Sequence, residues 1–365
     1  MKIFKQHILQ TYPYTGGSAR EPHVLHKLSS NENPLGPSPK AVAAMRAAIE
    51  TIHEYQYEND TAFCKKLSDS LHGQLHANQF LPANSGMEIL DIICRGFLEP
   101  GTTALLSSPT FMAYKNFAEL AGAKVIDIPL NSIDFSLNVS GILDAIDETT
   151  RIVFVSNPNN PTGTLFPEKD IALLAEKIPD HVVLVYDEAY YHYVSKPNYT
   201  RAADLINEGK NVIGLHSFSK AYGLAGIRLG YLFSSEKITN YLRHFRRPFM
   251  ISSLSMIGGM AALDDHFHIS RSVDMVTREK EWLYAQLEKL GIKYWPGDAN
   301  FILAEPPVDA TAFVSALLQK GIMVRNAEPL GARGLVRITI GTHEMNQALI
   351  EAISELVLVN LSHIL

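Results

Sequence analysis

The sequence predicts an α/β protein with a large, mostly parallel sheet covered by helices on both faces and a smaller α+β part after it. Three observations predict this. Short apolar strands alternate with helix-length segments from about residue 60 to residue 235. From about residue 255 strands and helices mix over shorter spans. The 365 residues exceed what one hydrophobic core usually serves. The expected organisation is an arm over residues 1–40 that joins the small domain, a large domain over 41–254 and a small domain over 255–365.

Residues 1–39 are rich in Pro, Gly, Ser and Asn and read as an extended arm. A helix is expected at Ala41–Ile52. Strands are expected at Ala104–Ser107, Lys124–Ile128, Ile152–Ser156, Val182–Tyr186 and Val212–His216, each short, apolar and bounded by polar residues. A long helix is expected at Asp274–Leu290, after an Asp264–His268 run that reads as a helix end. Strands follow at Ile292–Tyr294, Asn300–Leu303, Met323–Arg325 and Leu335–Ile340, with helices near Ala310–Lys320 and at the end.

Net charge is −6, with 46% hydrophobic and 19% charged residues. A nucleic-acid surface needs a basic excess, which is missing. No apolar run has the length of a membrane span, and the first residues lack the apolar stretch of a secretory signal. The two cysteines, Cys64 and Cys94, make no metal-like pair, and a reducing cytoplasm is the expected compartment. No metal site is expected. His72 and His76 share a helical spacing without a third ligand. His216 reads as a packing residue.

Four segments carry candidate chemistry, and three of them lie just past strand ends, where open α/β sheets place their sites. In Ser217-Phe218-Ser219-Lys220, followed by Arg228, a lysine that loses its proton can attack an aldehyde, and two hydroxyls and a guanidinium can hold a phosphate. A solvated surface loop accounts for the same residues. Asp187 ends an apolar strand in Asp187-Glu188-Ala189-Tyr190 and can pair with a ring nitrogen or be an ordinary strand-end acid. Asn160, in Asn159-Asn160-Pro161-Thr162-Gly163, can donate to a phenolate or belong to a plain turn. Ser85 and Gly86 precede an amphipathic helix, as a phosphate-binding tip or as a simple cap.

Taken in this order, the segments resemble the fold-type-I aminotransferases over nearly the whole chain. The resemblance implies a pyridoxal 5′-phosphate enzyme in which Lys220 carries the cofactor as a Schiff base and, once released, moves a proton. It implies that Asp187 pairs with the pyridine nitrogen, that Asn160 and Tyr190 bond the phenolate oxygen, and that Phe111 stacks on the ring. The phosphate is then held by Ser85, Gly86, Ser217, Ser219 and Arg228, with Tyr55 reaching in from the second subunit of a homodimer.

Pro13-Tyr14, the run Leu28-Ser29-Ser30-Asn31-Glu32-Asn33-Pro34-Leu35-Gly36, Gly321–Arg325 and Val336–Thr342 resemble the histidinol-phosphate aminotransferase family. That implies Tyr14, Asn33, Arg325 and Arg337 at the substrate, with glutamate and 2-oxoglutarate as the second pair. Met87 stands where that family usually has an acidic residue, Gln56 where it often has proline, and Met250 where it often has asparagine. An aromatic amino acid aminotransferase and a lyase similar to threonine-phosphate decarboxylase are the alternatives.

Overall fold

A computed structural model describes residues 3–13, 21–55 and 59–362. A seven-stranded sheet forms its centre. In spatial order the strands are Phe80–Ala83, Gly230–Phe233, Val212–Ser217, Val183–Asp187, Thr150–Ser156, Thr103–Leu106 and Lys124–Asp127. Gly230–Phe233 runs antiparallel to both neighbours, and the other adjacent pairs are parallel. All five strands expected from the sequence lie in the parallel part. They are buried end to end apart from the edge strand Lys124–Asp127 and two end positions, Arg151 and Ser217.

Strand alternation sorts their side chains. Val183, Val185, Ile213 and Leu215 join one core with the helix Ser85–Phe97. Leu184, Tyr186 and Val212 join the core on the opposite face. Asp187 continues the first series, so it ends its strand on the Ser85–Phe97 side.

Two strands of this sheet escaped the sequence reading. Phe80–Ala83 contains Pro82, which argues against a central strand, but this one is at the sheet edge, where proline is tolerated. Gly230–Phe233 follows directly on a glycine-rich turn, which hid its start.

A second sheet has the order Arg325–Asn326, Val336–Thr339, Phe301–Ala304, Tyr294–Trp295, all antiparallel. The helices His266–Lys289, Ala310–Gln319 and His343–Ser362 contribute Leu283, Leu317 and Ile353 to its core. The arm adds strand His26–Lys27, which pairs with Ile322–Met323. No described helix is long and apolar enough to cross a membrane.

Two helix ends differ from expectation for the same reason, capping. Ser38 caps a helix that starts at Pro39, and this helix gives way after Ala47 to a 3-10 turn at Ile49–Thr51. Asp265 accepts from the His268 amide at 3.4 Å and caps His266–Lys289. The Asp264–His268 run therefore ends Ser253–Leu263 and starts the next helix, eight residues before the expected Asp274.

The arm crosses the large sheet's loops closely at Gly223. This residue has φ +69°, and a Cβ there would overlap the Gly36 carbonyl oxygen. The Gly36 carbonyl and the Pro37 Cα that it would meet are both backbone, so neither can rotate away. Gly223→Ala should cost about 2–4 kcal/mol, from the left-handed conformation and the displaced arm. Denaturant unfolding checks this, and a loss within experimental error would show that the arm is not held there.

Candidate active site

A cavity of about 530 Å³ opens at the carboxyl ends of the parallel strands. Lys220 lies on its wall, three residues past the end of Val212–Ser217. Its Nζ donates to the Ser30 carbonyl at 3.4 Å and sits 5.4 Å from the Tyr190 ring centre. The Tyr190 hydroxyl accepts from Asn31 Nδ2 at 3.0 Å. Asn31 is held at φ +55° and bonded to Thr339 through its amide and side chain.

Asp187 reaches the cavity from the neighbouring strand. It is 6% exposed. Its carboxylate accepts from the Tyr114 hydroxyl at 2.7 Å and the Ala189 amide at 2.9 Å. Burial pushes the Asp187 carboxyl above its ordinary pKa, and those two donors pull it back only in part. Tyr114 is raised well above the ordinary tyrosine value, first by burial and then by the Asp187 charge. Phe111 stands edge-on to Tyr114 with ring centres 5.6 Å apart and also faces the cavity.

Ser85, Gly86, Ser217, Ser219 and Arg228 line the same cavity. Ser85 and Gly86 begin the helix Ser85–Phe97, whose first amides have no partner within the helix. Close approach of this tip to the sheet needs Gly230, where a Cβ would lie 2.9 Å from the His216 oxygen and 3.3 Å from the Gly86 amide. Arg228 has φ +56° and donates to the Ala225 carbonyl at 2.7 Å.

The second sheet contributes the remaining wall. Arg325 and Arg337 are partners across antiparallel strands, and both line the cavity. Arg337 is buried and donates to Asn160 Oδ1 and to the Ser29 carbonyl, each at 2.7 Å. Asn159 fixes the turn that carries Asn160 by bonding Pro109, Thr110 and Thr162.

Two expected residues lie elsewhere. Asn33 is away from this cavity, since its Nδ2 holds the Ala221 carbonyl and the Ser272 hydroxyl at 2.9 and 2.8 Å. It ties the arm to a helix, and Asn31 is the arm asparagine at the cavity. Tyr55 is largely exposed and lines a separate cavity beside Phe249, with ring centres 4.7 Å apart. Tyr14 lies outside the described residues. His216 packs behind the sheet, stacked on Tyr191 at 4.1 Å. Sequence reasoning missed Tyr114, whose only local signal is its place three residues after Phe111.

These groups fit pyridoxal phosphate. A buried carboxylate with neutral donors suits a protonated ring nitrogen. Hydroxyls, a guanidinium and a helix tip suit a phosphate. Lys220 shares their cavity and supplies an amine to it. Fold and site together define a fold-type-I pyridoxal-phosphate transferase.

The chain belongs to the aminotransferase class I and II family, which matches residues 24–353. It is a pyridoxal-phosphate-dependent transaminase, so it takes an amino donor and a 2-oxo acid. The histidinol-phosphate aminotransferase of Geobacillus thermodenitrificans is 38% identical over 330 residues, which are 90% of this chain and 89% of that protein. The histidinol-phosphate aminotransferase of Bacillus subtilis is 35% identical over 359 residues, 96% and 99% of the two chains. A solved structure of the Sinorhizobium meliloti histidinol-phosphate aminotransferase in complex with pyridoxal-5′-phosphate shares the fold with TM-score 0.88, at 23% identity over 98% of each chain.

Proposed function

We propose that the chain transfers the amino group of histidinol phosphate to 2-oxoglutarate, giving imidazole acetol phosphate and glutamate, a step of histidine biosynthesis. The observation that carries this reading is the cross-strand pair Arg325 and Arg337 in the Lys220 cavity. Two guanidinium forks suit a doubly charged phosphate better than a single carboxylate. The names of the relatives point the same way.

When bound, pyridoxal phosphate supplies an electron sink that makes a substrate α-carbon acidic. Lys220 would hold the cofactor through its Nζ, and the same amine would move a proton at that carbon. Asp187 keeps the ring nitrogen protonated. Asn160 accepts from Arg337 through Oδ1, which leaves Nδ2 to donate to the ring's phenolate oxygen beside Tyr190. Phe111 would cover the ring face. Ser85, Gly86, Ser217, Ser219 and Arg228 hold the phosphate. Tyr14 belongs at the substrate.

The exposure of Tyr55 supports a homodimer in which this residue reaches the partner's cofactor phosphate. The arm over 1–40, a large domain over 41–254 and a small domain over 255–365 are the proposed units, and the cytoplasm is the proposed compartment.

The test is a panel of amino donors with 2-oxoglutarate, including histidinol phosphate and phenylalanine. Histidinol phosphate should give the highest kcat/KM, and inorganic phosphate should compete with it more strongly than with phenylalanine. Preference for phenylalanine would make the enzyme an aromatic aminotransferase. Carbon dioxide release without a keto acid would make it a lyase. Arg337→Ala should raise KM for histidinol phosphate roughly 30-fold or more, the value of a lost charge-assisted fork, with a much smaller loss of cofactor affinity through Asn160. Equal losses of substrate and cofactor binding would remove Arg337 from the substrate site.

A further inference from the structure

Behind the cavity wall, on the other face of the sheet, lies a buried carboxylate that the reaction does not use. Glu188 directly follows Asp187 and is 1% exposed. Its amide donates to the Leu215 carbonyl at 3.0 Å and continues the strand pairing by one residue. Alternation turns His216 away from the cavity, between Leu215 and Ser217. Glu188 Oε2 lies 3.2 Å from His216 Nε2. His216 Nδ1 lies 2.7 Å from the Tyr231 hydroxyl, on the strand Gly230–Phe233.

Glu188 Oε1 accepts from the Tyr199 hydroxyl at 2.8 Å. The same hydroxyl is 2.9 Å from the Asn157 carbonyl, just past the strand Thr150–Ser156. The Asn157 amide in turn donates to the Asp187 carbonyl at 2.9 Å. One carboxylate is therefore linked to the ends of four adjacent strands. Those ends carry the Asn160 turn, Asp187, the Ser217–Lys220 turn and, just before Gly230, Arg228.

A buried charge adds little stability over a well-packed apolar side chain, even when fully hydrogen-bonded. What it adds is direction, since each partner must sit at one place. We propose that Glu188 is a positioning residue that sets the distance between Asp187 and Lys220 from behind the sheet. It touches neither cofactor nor substrate. The inference rests on the assignment of Asp187 and Lys220 to pyridoxal phosphate.

The test uses holoenzyme carrying Glu188→Ala, Glu188→Gln or Tyr199→Phe. It reads kcat, KM for the amino donor, melting temperature, and the pH midpoint of the bound cofactor's visible absorbance. Glu188→Ala should lower kcat about 30-fold, as misplacement of reacting groups by a fraction of an ångström does, with KM within about threefold. Its absorbance midpoint should move by about half a pH unit or more, because the groups around Lys220 shift. Glu188→Gln keeps the shape and can still bond Tyr199 and His216, and it should recover most of both losses.

A lower melting temperature with kcat and midpoint unchanged would make Glu188 a plain stability residue and end the proposal. Equal impairment in Glu188→Gln and Glu188→Ala would also end it, since charge and not position would then matter. If Glu188→Ala yields no folded holoenzyme, Tyr199→Phe decides, because it removes one donor to Glu188 together with the tie to Asn157 and leaves the carboxylate in place. A moved midpoint supports the proposal and an unmoved one overturns it. A wild-type protein without any visible cofactor band would instead overturn the assignment of Lys220, and this inference with it.

Discussion

Replacement of Lys220 by alanine is expected to abolish turnover while pyridoxal phosphate stays bound. Most of the cofactor's other proposed holders are on segments separate from Lys220, at Ser85–Gly86, Asp187–Tyr190 and Arg228, while Ser217 and Ser219 share its turn. The lysine Nζ meets the Ser30 carbonyl and the Tyr190 ring, and alanine keeps the backbone bond from the Gly223 amide to the residue-220 carbonyl. Its removal therefore leaves the cavity walls intact. Loss of a positioned general base costs roughly 10²–10⁴ in rate, and loss of the covalent anchor adds to that. A fall in kcat of at least about 10³-fold is expected. Lys220→Arg should be equally inactive, since a guanidinium keeps the positive charge but cannot release its proton. Steady-state rates and the visible spectrum after dialysis check both variants. If either turned over near the wild-type rate, the proton would have to travel by another residue.

The parts of this molecule that the sequence shows are those written in consecutive residues. The Val183–Asp187 strand is a run of apolar residues ending in a carboxylate, and Val212–Ser217 leads to Lys220 within three positions. Order along the chain was enough to place Asp187 at a strand end and Lys220 just past one. Contacts between distant segments were not legible. Tyr114 and Asp187 are 73 positions apart, Asn31 and Tyr190 are 159, and Arg337 and Asn160 are 177. No local pattern encodes such a pair, because it exists only after the sheets have packed. Asn33 shows the converse error. It belongs to the same recognisable run as Asn31, but φ +55° at Asn31 turns that side chain toward Tyr190 while Asn33 faces Ala221 and Ser272. Tyr231 and Tyr199 likewise look like ordinary core tyrosines in the sequence, and their roles around Glu188 follow only from the strand order.

Asp187→Asn should have opposite effects on the cofactor-free protein and on the loaded enzyme. Without cofactor, burial raises the Asp187 carboxyl above its ordinary value, and the Tyr114 hydroxyl and Ala189 amide offset only part of that. The sign follows from linkage. A carboxyl whose folded pKa lies above its unfolded pKa of roughly 3.9 gives its full contribution below that value and loses it as pH rises through the folded pKa. As pH rises above the ordinary carboxyl range, Asp187 is then an increasing cost to the cofactor-free fold. An asparagine carries no charge, and its Oδ1 can accept from the Ala189 amide while its Nδ2 donates to the Tyr114 hydroxyl oxygen. The cofactor-free variant should melt higher than cofactor-free wild type at neutral pH, and the gap should shrink as pH falls toward the ordinary carboxyl range. With pyridoxal phosphate the order reverses. The variant loses a charge-assisted bond to the ring nitrogen, about 1.5–3 kcal/mol, or roughly 10–150-fold in cofactor affinity. Its kcat should fall by about 10²-fold or more, because the ring is no longer held protonated. Calorimetry with and without cofactor across this pH range measures both effects. Cofactor affinity equal to wild type would detach Asp187 from the ring nitrogen. A cofactor-free variant that melted lower at every pH would show that the carboxylate serves the fold and not the cofactor.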